Sequence, residues 1–111
     1  MTIQRGTTQT VTITIKKWDL TASDIYVTFK QGAKAVTKKT MDSVVFSNNA
    51  TKIVLTLTQQ DTMSFDNNKT GLVQARWIDD NGIARKTKTA EFDVDELLYE
   101  AVLAKDDDDG D

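Results

Sequence analysis

Side chains able to do chemistry at neutral pH are scarce in this chain. Of its 111 residues none is histidine and none is cysteine. That removes the commonest general base, the usual zinc ligand, and the Ser-His-Asp and Cys-His nucleophilic arrangements. Disulfides and thiolate metal sites go with them. Asp79-Asp80-Asn81-Gly82 resembles the start of a calcium loop, but the alternating oxygen ligands and the distal bidentate Glu are missing. A hairpin accounts for it better, since Asn-Gly supplies both positive-φ residues of a type I′ turn. Asp106 to Asp109 and Asp111 attract divalent cations loosely at most, or steer a basic partner, and read first as solvated charge. Asn49-Ala50-Thr51 and Asn68-Lys69-Thr70 match the glycosylation acceptor pattern. They carry no weight, because Met1–Gly6 has no apolar stretch behind its positive charge and is no Sec signal. The expectation is a protein that is not an enzyme and takes no cofactor or metal.

The tryptophans are the remaining candidates. Trp77 continues the alternation of Val73 and Ala75 and belongs in a core. Trp18 follows Lys16-Lys17 in a loop, which makes it a candidate surface anchor, Trp being enriched at interface hot spots. The plainer role is burial under that loop.

Charge narrows the partners. The net charge of −3 comes from the acidic end, which supplies five of the seventeen acidic residues and leaves a body near +2. Lys and Arg are scattered, whereas nucleic-acid binding calls for a clustered, strongly basic surface. No apolar run approaches the roughly 20 residues that cross a bilayer. Neither nucleic acid nor membrane is expected.

The elements that must position these residues are strands. Thr10-Val11-Thr12-Ile13-Thr14-Ile15 alternates polar and apolar side chains, and so do 25–29, 53–57 and 73–77. A period of two buries one face and wets the other. Strands are expected at about 8–16, 25–30, 34–40, 44–46, 52–58, 70–78 and 83–93. Gly32 serves one turn and Ser47–Ala50 another. Lys34, Lys38, Lys39, Lys86 and Lys88 are placed to protect edge strands in a chain without proline. Thr58-Gln59-Gln60-Asp61 resembles a capping box opening a helical turn at 59–64, with Met63 and Phe65 inward. About seven strands with turns every 8–12 residues predict an all-β, antiparallel Ig-like sandwich with a single core. That core is expected to hold Val11, Ile13, Ile15, Ile25, Val27, Phe29, Ile53, Leu55, Leu57, Val73, Ala75 and Trp77. Beyond the last strand the period changes. Leu97, Leu98, Ala101 and Val102 recur at helical spacing behind Asp95 as N-cap, which predicts a short C-terminal helix over 95–103. Residues 1–105 then form one domain and 106–111 a disordered acidic tail.

Several stretches together resemble a known family. They are Ile3, Arg5, Gly6 and Thr8 before an alternating strand, Val27-Thr28-Phe29-Lys30-Gln31-Gly32, Leu57–Thr62 leading to Phe65, and Val73–Trp77 before an Asp-Asn-Gly turn. Over residues 3–103 the chain looks like small prophage-encoded β-sandwich proteins, similar to the N-terminal domain of phage upper-baseplate or tail proteins of Gram-positive bacteria. The resemblance implies a virion structural or assembly role, as a homo-oligomer among other tail or baseplate proteins, in the virion or in the host cytoplasm before assembly. It brings no catalytic residues. Trp18, Leu97, Leu98, Ala101 and Val102 are the candidate contacts. The alternative is a monomeric Ig-like adhesion or carbohydrate-binding module, against which stands an aromatic content of only 7%.

Overall fold

The structure, a computed structural model, describes residues 1–39, 43–98 and 102–103. Along them run β1 (Thr2–Ile3), β2 (Gln9–Lys16), β3 (Ile25–Gln31), β4 (Lys34–Lys39), β5 (Ser43–Ser47), β6 (Ala50–Leu57), α1 (Gln59–Met63), β7 (Thr70–Ile78), β8 (Ala84–Lys86) and β9 (Ala90–Val94). Two sheets result. The smaller has the order β2-β6-β5; the larger runs β1-β9-β7-β3-β4, with β8 also paired to β7. The chain changes sheet after β1, β2, β4 and β6, which is the Ig-like sandwich order. One short parallel pair, β1 on β9, departs from the expected antiparallel pattern.

Alternation builds the core. Val11, Ile15, Ile25, Val27, Phe29, Ile53, Leu55, Leu57, Val73, Ala75 and Trp77 are all buried, while Ile13 is only partly so. Each large aliphatic or aromatic side chain enclosed this way stabilises the fold by roughly 1.5–3 kcal/mol. Ile3, Leu20, Phe65, Phe92 and Val94 join the core. Phe92 stacks edge-on against Phe29 and Phe65, with centroids 5.8 and 5.3 Å away.

Local signals that need few residues hold. Thr58 accepts from the Asp61 N–H, and Asp61 accepts from the Thr58 N–H, closing the capping box of α1. Met63 is partly buried beside fully buried Thr62 and Phe65.

Three expectations are corrected. The type I′ turn is not at Asn81-Gly82, where only Gly82 has positive φ. There the Asp79 carboxylate accepts the Asn81 and Ile83 N–H groups at 2.9 Å and shapes a longer loop. Asn48 and Asn49, with φ of 52° and 59°, make the two-residue turn with paired positive φ instead. Second, the strand expected over 83–93 is two strands. Arg76 pairs with Lys86 but Val73 with Ala90, so 87–89 hold one extra residue, a bulge. It moves the core face from odd to even positions, which brings Phe92 and Val94 inward. Third, residues 95–98 and 102–103 are not helical, so no helix spans 95–103. Asp95 continues from β9, its N–H donating to the Ile3 carbonyl and its carboxylate accepting from the Arg5 N–H. Those contacts hold in extended chain what spacing alone suggested as an N-cap. The acidic tail lies outside the described residues.

Candidate functional site: a groove on the outer face of the larger sheet

The outward positions of the larger sheet come from strands far apart in sequence, and the register lines them up. Tyr26 lies opposite Lys39 on one side and Arg76 on the other, and Arg76 lies opposite Lys86. One row across four strands therefore reads Lys39, Tyr26, Arg76, Lys86. Its neighbours are the Thr28 and Thr37 hydroxyls, 3.0 Å apart. Beyond the row, toward the loops, stand Ile78, Ala84 and the carboxylates of Asp24, Asp79 and Asp80. Most of these residues line an open groove of about 680 Å³. Tyr26 is 42% exposed and Ile78 56%.

The charges in the groove are unevenly committed. Lys39 lies 3.6 Å from Asp24 and 5.8 Å from the centre of the Tyr26 ring. The Asp24 charge, then Tyr26, pushes the Lys39 ammonium above its ordinary pKa. Asp79 is consumed by its own loop. Its carboxylate takes Arg85 Nε at 2.7 Å together with the Ile83 and Asn81 N–H groups, and these hold its pKa below the usual carboxylate value. Arg76 and Lys86 make no ion pair among the described residues. Like charges directly opposite on a strand pair are destabilising. Arg76 lines the groove beside the carboxylates of Asp24, Asp79 and Asp80, the first two already paired with Lys39 and Arg85, and Lys86 flanks it. With Tyr26 and Ile78 this face offers two uncommitted cations, one phenol and exposed aliphatic carbon beside an acidic rim.

The contact candidates singled out from sequence, Trp18 and the C-terminal segment, lie elsewhere, at opposite ends of β2. Trp18 packs edge-on against Trp77 at 6.0 Å beneath the Arg85 guanidinium, 4.6 Å from its ring centre. It is half-buried and closes the loop end of the core. The loop behind it is pinned by buried Thr51, whose hydroxyl accepts from the Leu20 N–H and donates to the Trp18 carbonyl. Leu97 lies over Gly6, where an added Cβ would come within 2.6 Å of it. Leu98 is 91% exposed, and Val102 and Leu103 are also exposed, Leu103 bonding through its backbone to the Gln59 side chain. Ala101 lies outside the described residues. Trp18 and the C-terminal segment do not meet, and neither lies in the row. The alternation marks Tyr26 and Arg76 as outward-facing, but the strand order that makes them neighbours of Lys39 and Lys86 carries no local signal.

No protein-family model, curated protein or solved structure matches this chain.

Proposed function

We propose that the protein is a structural or assembly module acting by protein–protein contact, in the tail or baseplate of a prophage-encoded virion. The observation that carries the contact role is the row Lys39-Tyr26-Arg76-Lys86. Arg76 and Lys86 face each other at a cost to the sheet, and a partner surface bearing carboxylates would offset it. The virion setting rests on the likeness of residues 3–103 to the prophage sandwich proteins. Partners are then other tail or baseplate proteins and further copies of the chain. The carbohydrate-binding alternative draws on Tyr26, the exposed aromatic of the groove.

Particles induced from the source bacterium and purified by density test this reading. The chain is expected among their proteins by mass spectrometry. A chain carrying Arg76→Glu and Lys86→Glu, with unchanged circular dichroism, is expected to be missing from them. Absence of the native chain, or equal incorporation of the variant, contradicts the proposal. Glycan binding that depends on Tyr26 would move the function to the alternative.

A further inference from the structure

The smaller sheet ends on β2, and among the described residues no strand covers its far side. In an antiparallel ladder every second residue turns its N–H and C=O away from its neighbour, so β2 presents a row of unpaired backbone groups. Such edges are ordinarily blunted by charge, proline or brevity. β2 has none of these, being eight residues long, Gln9–Lys16, without a charge before Lys16. Its inner row is also incomplete. Val11 and Ile15 are each 4% exposed, yet Ile13 between them is only partly buried.

We propose that β2 pairs antiparallel with β2 of a second copy, about a two-fold axis at Ile13. Directly opposite residues share a face, so only some registers keep both cores intact. Centred on Ile13, the pairing sets Ile13 against its own counterpart and Val11 against Ile15 on the inner side. On the outer side it sets Thr12 against Thr14, a favourable cross-strand pair. Centring on Thr12 instead would set Gln9 against Ile15. Both registers pair threonines outside, but only the one about Ile13 gives an inner row that is apolar throughout. The product is an isologous dimer with a continuous sheet of order β5-β6-β2-β2-β6-β5. This inference is independent of the virion proposal and of the groove.

The absence of cysteine makes the test direct. Thr12→Cys and Thr14→Cys each place a thiol on an exposed position of the outer face. Light scattering of the native chain is expected to give twice the monomer mass at high concentration. Under mild oxidation the two variants mixed should form a mixed disulfide about tenfold faster than either alone, because only that pair stands directly opposite. Thr12→Lys with Thr14→Lys should raise the dissociation constant about tenfold or more with circular dichroism unchanged. A monomer up to millimolar concentration overturns the proposal. So does a dimer whose cross-linking is the same in all three mixtures.

Discussion

β2 and β4 are both edge strands, of eight and six residues, and they meet solvent in opposite ways. Each lysine of β4 is tied to a carboxylate from another part of the chain. Lys34 reaches Asp66 at 2.6 Å, Lys38 reaches Asp61 at 2.6 Å, and Lys39 reaches Asp24 at 3.6 Å. A strand arriving at that edge would meet three ammonium groups already held in place. β2 offers threonines and aliphatic carbon, with no charge before Lys16 to repel a second strand. The same fold therefore closes one edge by charge and leaves the other open, and it is the open edge that suits association. Strand count and sheet order do not distinguish the two; the side chains beside the free backbone do.

The two edges differ most in how the core supports them. Among the described residues β2 is held on one side only, with Val11 opposite Leu55. Val11→Ala, on β2 itself, is expected to cost about 1.5–3 kcal/mol by urea unfolding. The corresponding inward residue of β4, Val36 opposite Phe29, is only partly buried, and Val36→Ala should cost on the order of 1 kcal/mol. Equal losses would mean that the two edges are anchored alike.

The loop that follows β2 is next. Thr51→Val keeps the shape but leaves the Leu20 N–H and the Trp18 carbonyl without their partner. A loss of about 1–3 kcal/mol is expected.

The ion pairs of β4 predict a pH dependence. Burial opposes ionisation of Asp61, but the hydrogen bonds from Lys38 and Thr58 outweigh it and lower its pKa from the usual 3.8. Asp66 is lowered chiefly by Lys34. A carboxylate whose folded-state pKa lies below its unfolded value contributes its full stability above the ordinary carboxylate range. It loses that contribution as pH falls through the folded value. Urea midpoints should therefore hold steady from neutral pH to about 5 and then decline, and Asp61→Asn should flatten the decline. A midpoint that does not move in acid would show that the pairs contribute nothing.

The smallest effect has the opposite sign. Lys86→Thr removes one of two directly opposed cations and is expected to stabilise the fold by a few tenths of a kcal/mol, up to about 1. A clear loss of stability would instead make Lys86 structural and weaken the case for the groove.

How much of this was legible in sequence depends on how many residues a feature needs. The capping box at Thr58 and Asp61 is closed within four residues, and the alternating strands announce their own inner faces. The Asn81-Gly82 turn misled because a third residue, Asp79, reorganises the loop through its side chain. The bulge at 87–89 was hidden because one extra residue reverses the face of everything after it. Residues 95–98 carry helical spacing, yet Ile3, Arg5 and Gly6, on the neighbouring strand and the turn after it, hold that stretch from the far end of the sequence. The row Lys39-Tyr26-Arg76-Lys86 could not be read at all, since it exists only once the order β4-β3-β7-β8 and its register are set.

Amide hydrogen exchange of β2 and β4, followed across protein concentration, tests the contrast of the two edges most directly. Alternate amides of β2, those facing away from β6, should exchange rapidly in dilute protein and become protected as concentration rises. The outward amides of β4 should stay rapid throughout. Outward amides of β2 that exchange as fast as those of β4 at every concentration would contradict the account.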